Sequence, residues 1–92
     1  MLRDKTSSAD PAVLALLALA HVAGDEDMGP RFLALTGMDA DALRANAGKP
    51  ATLTAMLDYL MANEYDLLAT SEAIGVKPEA LALVARKLGS DW

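Results

Sequence analysis

The sequence contains no cysteine, a single histidine and few aromatic residues: one tryptophan, one phenylalanine and two tyrosines. Without cysteine, disulfides, thiol nucleophiles and cysteine-ligated metals are excluded, and a reducing compartment is a natural fit. One histidine, His21, beside Ser7, Ser8, Ser71 and Ser90 leaves little from which to build a nucleophile–base–acid set. No glycine-rich loop has the spacing that cradles phosphate. These shortages argue against an enzyme and imply no cofactor. β-Branched residues are sparse, and no segment alternates apolar and polar positions as a half-buried strand would. Basic residues are also few, 8 against 13 acids, for a net charge of −5. That balance opposes binding to nucleic acid and to anionic membranes, both of which rely on lysine and arginine.

What the chain has is apolar helix-forming material. Of its 92 residues 53% are hydrophobic, mostly alanine and leucine, enough for one globular domain with one core. The run from Pro11 to Ala23 is apolar all round except for His21. Such a helix belongs in an interior, so it is expected to be enclosed on every side, with Leu16 and Leu17 in the core. The run is too short to span a bilayer, which takes about 20 residues. Following Arg3 and Lys5 it has some likeness to a secretory signal. Asp4 and Asp10 offset those cations, however, and Asp10-Pro11 opens the run as a helix start would. A cytoplasmic protein with no membrane segment is expected.

The punctuation divides the chain. Residues 1–9 read as a flexible N-terminal tail and residues 10–92 as a single all-helical domain. Asp10 is an N-cap, Pro11 suits a first helical position, and Gly24 is expected to end the first helix in the left-handed conformation. Asp25-Glu26-Asp27 would place acids in the first turn of a second helix. Gly29-Pro30 would interrupt that helix, leaving it regular only from Arg31 to Thr36. Asp39 caps a short third helix anchored by Leu43 and closed by Gly48. Leu53, Met56, Leu57, Leu60 and Met61 form the stripe of a fourth helix opening at Pro50. Asn63 is read as the N-cap of a fifth, with Leu67, Leu68, Ser71 and Ile74 inward and Gly75 as its stop. Pro78 opens a sixth, with Leu81, Val84, Ala85 and Leu88 on one face, Arg86 and Lys87 in its last turn, and Gly89 at its end. The segments Thr36–Leu43 and Ile74–Leu81 echo each other, suggesting one helix-stop-helix corner used twice. The fold class is all-α: a compact orthogonal bundle of five to six short helices around a central apolar helix (11–23).

Site candidates are few. His21 has Asp25 one turn on, which suits a helix-end polar group better than a catalytic base. Asp25-Glu26-Asp27 lacks the alternating ligand spacing of a calcium loop, so no metal site is expected. Asp58, Glu64 and Asp66 read as helix surface. Met56 and Met61 are candidates for contact with a partner protein or a second copy of the chain, since methionine packs adaptably, with core packing the default for each. The segment from Leu67 to Leu88 has the spacing of a helix-turn-helix, which makes Lys77, Arg86 and Lys87 candidate nucleic-acid contacts. Glu79, at the start of the reading helix, would face phosphate unfavourably.

Phe32-Leu33-Ala34-Leu35-Thr36-Gly37, Asp39, Asp41, Leu43-Arg44 and Leu57-Asp58-Tyr59-Leu60 resemble an uncharacterised bacterial family of short all-helical proteins, a domain of unknown function. The resemblance covers roughly residues 11–88. It departs from the family at the second helix, where Asp25-Glu26-Asp27 replaces an Asp-Pro-like start. It implies an all-helical cytoplasmic protein with no assigned activity and supplies no catalytic residues. With composition and spacing it points to a small non-catalytic interaction or regulatory module acting through an apolar helical surface. The alternative is a helix-turn-helix nucleic-acid binder.

Overall fold

The computed structural model describes residues 10–91; the expected tail over residues 1–9 and Trp92 lie outside the described residues. Six helices and no strand occur among them: α1 Pro11–Gly24, α2 Met28–Thr36, α3 Ala40–Asn46, α4 Pro50–Ala62, α5 Glu64–Ile74 and α6 Pro78–Asp91. Prolines open α1, α4 and α6 at the position where the missing N–H costs nothing. Asp10 caps α1 by accepting from the Ala12 amide at 3.0 Å, and Asp39 caps α3 by accepting from Ala42 at 2.8 Å.

The echoed corners are real. Gly37 and Gly75 both adopt φ 78°, a left-handed turn that L side chains resist. Each is followed by a half-buried apolar residue, Met38 or Val76, and then by a helix anchored on a buried leucine, Leu43 or Leu81. The closures differ in detail. Gly37 donates to the Leu33 carbonyl at 2.8 Å, whereas Val76 reaches back to Ser71 at 2.9 Å, as in a Schellman motif.

Five boundary readings change. Gly24 is not left-handed; α1 ends because Asp25 turns extended, with φ −81° and ψ 137°. The second helix starts at Met28, with Gly29-Pro30 inside its first turn, where a proline removes no helical hydrogen bond. Its start is fixed by Asp25, whose Oδ2 accepts from the Asp27 and Met28 amides at 2.9 and 2.8 Å. Gly48 follows α3 without a positive φ, and α6 runs through Gly89. Arg86 and Lys87 therefore lie a turn short of the end of α6. Asn63 makes no cap bond to α5; its side-chain amide donates instead to the Tyr59 carbonyl at 2.8 Å, closing α4.

One core holds the bundle together. The buried face of α1, made by Leu14, Ala15, Ala18, Leu19 and Val22, packs against α2, α4, α5 and α6. Phe32, Leu53, Met56, Leu57, Leu60, Leu81, Val84 and Leu88 complete the interior. The central position of α1 is thus as read, but its full enclosure is not: Leu16 is 43% and Leu17 47% exposed. Four neighbours cover the side where residues recur at i, i+4 and i+8, and the opposite side is only partly covered. Leu68, expected inside, is also exposed, as is Leu35. In α5 the buried side chains are polar instead: Asp66, Thr70 and Ser71. Each is hydrogen-bonded, and no buried side-chain polar atom among the described residues lacks a partner.

Candidate functional site

The partly covered side of α1 forms one wall of an apolar groove. Leu16, Ala20 and Ala23, at i, i+4 and i+7, face Leu33 of α2, Ala40 and Leu43 of α3, and Ala47 just past its end, across a space of about 370 Å³. Leu19 forms the floor, and Arg44 is the one charged side chain in the lining. Its guanidinium is held by Asp41 at 3.0 Å, an exposed i, i+3 pair. The outer wall is slight. α3 is a seven-residue helix whose single buried residue is Leu43, so it is the element most readily lifted from the body.

A second, shallower cavity of about 580 Å³ lies between the end of α2 and α4, lined by Leu35, Met38, Ala55, Asp58, Tyr59 and Asn63 among others. Its ionisable groups are Asp58 and Tyr59, and the Tyr59 hydroxyl is committed elsewhere. It donates to Asp66 Oδ2 at 2.6 Å, while Arg31 Nη1 reaches the same oxygen at 3.2 Å. Burial, and then the neighbouring carboxylate, push the Tyr59 phenol up to about 12. The cluster ties α2, α4 and α5 together. Asp66 is 2% exposed, although in the sequence it reads as helix surface. No local pattern marks it, because Arg31 lies thirty-five positions away and Tyr59 in another helix.

The predicted site residues scatter. Met56 is fully buried in the core and has no surface to offer a partner, because the stripe of α4 faces inward at that position. Met61 is 38% exposed but lies outside the groove. Lys77, Arg86 and Lys87 are all exposed. Lys77 precedes α6, and Arg86 follows nine residues later, roughly 13 Å along the axis at about 1.5 Å per residue. His21 is half-buried, and no ion pair joins it to Asp25 among the described residues. The Asp25 carboxyl lies below the usual carboxylate range because the Met28 amide, and then the Asp27 amide, donate to its charged form. The same two bonds hold the α1–α2 corner. No group of three or more potential metal ligands occurs among the described residues, and no helix there is long and apolar enough to cross a membrane.

Fold and surface together define a small all-α domain with an apolar groove beside an incompletely covered central helix. Residues 8–91 match the family described as "Protein of unknown function (DUF3572)", and the chain belongs to that family. No curated protein and no solved structure matches it.

Proposed function

We propose that the chain is a non-catalytic interaction or regulatory module that receives a partner protein in the groove between α1, α2 and α3. One observation carries this reading: the most apolar helix leaves Leu16 and Leu17 about half exposed, and Leu16 shares a lining with Ala20, Ala23, Leu33 and Leu43. Isolated surface leucines are ordinary, but an apolar strip that continues into a concave space marks a binding surface. Burial on docking would recover roughly 25 cal/mol for each Å² of apolar surface. The groove offers Arg44 as its one ionisable side chain and so lacks the converging acid and base that catalysis needs. The competing reading, nucleic-acid recognition by α5 and α6, draws on the tight corner at Gly75. The separation of Lys77 from Arg86 and Lys87 and the net charge of −5 weigh against it.

The test is affinity capture from the native host with wild-type bait and with Leu16→Glu bait, each first shown to be folded by circular dichroism. A protein retained by the wild type and lost by the variant supports the reading. An identical set on both baits refutes it.

A further inference from the structure

Resting on that reading, we infer that the occupant of the groove is a short amphipathic helix of a partner protein, with apolar anchors on one face and basic residues on the other. The first argument is size. α1 is 14 residues long, about 21 Å at 1.5 Å per residue, and its outward strip is roughly one helix wide, about 10 Å. That offers on the order of 200 Å², well short of the ~800 Å² per partner of a standard protein–protein interface. A second copy docking face to face is therefore poorly served. One helix of about three to four turns, with anchors at i, i+3 or i+4 and i+7, fits the strip and the concavity beside it.

The second argument is charge. Asp39 and Asp41 flank the lining residue Ala40, and Asp25, Glu26 and Asp27 follow closely on the lining residue Ala23. Both ends of the apolar strip that meet α2 and α3 therefore carry acids. The cations nearby are Arg44, Lys49 and Arg31. Arg44 and Asp41 offset each other at 3.0 Å and Arg31 is engaged with Asp66 at 3.2 Å, so the acids left without an ion pair among the described residues are Asp39, Asp25, Glu26 and Asp27. Lys49 stands at the far end of α3, past Ala47. An uncharged floor with a mostly acidic rim complements leucine or methionine anchors bordered by lysine or arginine. The same rim repels anionic lipid, the other common host of such helices.

Two synthetic probes test this on the full chain. Each is a fluorescently labelled peptide of about fourteen residues with leucine at helical spacing; one carries lysine at its polar positions and the other glutamate. By anisotropy, the lysine peptide is expected to bind at least about tenfold more tightly than the glutamate peptide, with the difference shrinking as salt rises. Leu16→Glu adds an acid to the rim while spoiling the apolar floor. The groove predicts about a tenfold loss of lysine-peptide affinity in this variant, whereas charge attraction alone predicts a gain. Glu26→Lys combined with Asp27→Lys should narrow the preference without abolishing binding. Equal or tighter binding of the lysine peptide by Leu16→Glu would overturn the inference, as would binding of neither peptide. If both peptides bind the wild type equally and both are lost in Leu16→Glu, the groove stands as a docking site and the basic partner falls. A concentration-dependent dimer that Leu16→Glu dissociates, with no peptide bound, makes a second copy the occupant and also overturns the inference.

Discussion

Replacing Gly29 with alanine should destabilise the protein, although alanine is the better helix former. Gly29 lies in the first turn of α2, where that turn crosses the end of α1. A Cβ built there would stand 2.9 Å from the Ala23 carbonyl oxygen and 3.3 Å from that of Val22. Both neighbours are backbone atoms of a packed helix and cannot rotate aside, so α2 would have to move away from α1. Overpacking of this kind costs typically about 1–3 kcal/mol. The propensity gain of up to about 1 kcal/mol offsets part of it and leaves a net loss of roughly 0.5–2 kcal/mol. Gly89 is the control. It lies within α6, is exposed, and a Cβ there meets nothing within 4 Å, so Gly89→Ala should stabilise by about 0.5–1 kcal/mol. In a domain of this size 1 kcal/mol moves the melting temperature by roughly 4–8 °C, so thermal and urea unfolding resolve both signs. A Gly29→Ala variant as stable as the wild type, or more so, would refute the close approach of α1 and α2.

Two further expectations concern the core and its polar clamp. Leu19→Ala should cost about 2–5 kcal/mol in urea unfolding, as a fully buried leucine does. Leu16→Ala and Leu17→Ala should each cost about 1 kcal/mol or less, since both are nearly half exposed; equal losses at all three would mean that α1 is enclosed after all. Asp66→Ala should cost about 2–4 kcal/mol, because it removes a hydrogen bond to a charged acceptor and leaves the buried Tyr59 hydroxyl unpaired. In a double-mutant cycle with Tyr59→Phe a coupling of about 1–2 kcal/mol is expected, and strict additivity would show that the 2.6 Å bond does not hold in solution. Burial of the Tyr59 phenol, and then its bond to Asp66, set a pH dependence. The fold favours the neutral phenol, so this stabilisation is complete below pH 10 and is lost as pH rises towards about 12; Tyr59→Phe should remove that alkaline step from the unfolding profile.

The sequence alone determined the all-helical class, a range of five to six helices and most helix starts. Those signals are local: Asp10 and Asp39 accept from amides two and three residues on, and Pro11, Pro50, Pro78, Gly37 and Gly75 act through their own φ. The same locality misled at Gly24, Gly48 and Gly89. A glycine read as a stop needs the left-handed conformation, and whether it adopts it depends on what the next segment packs against. Gly29 was misread for a related reason: its role is to let two backbones touch, which no one-dimensional pattern records.

The groove was half legible. That Pro11 to Ala23 needs cover was plain from composition, but a run that is apolar on all sides carries no period to say which side is covered. Only the placement of α2, α4, α5 and α6 chose Leu19 for the interior and Leu16 for the surface. Tertiary structure likewise left Met61 partly exposed while Met56, on the same stripe, is buried, and it brought Arg31, Tyr59 and Asp66 together from three helices. Periodicity reports what lies along one helix, whereas burial and charge pairing depend on what other helices bring to it.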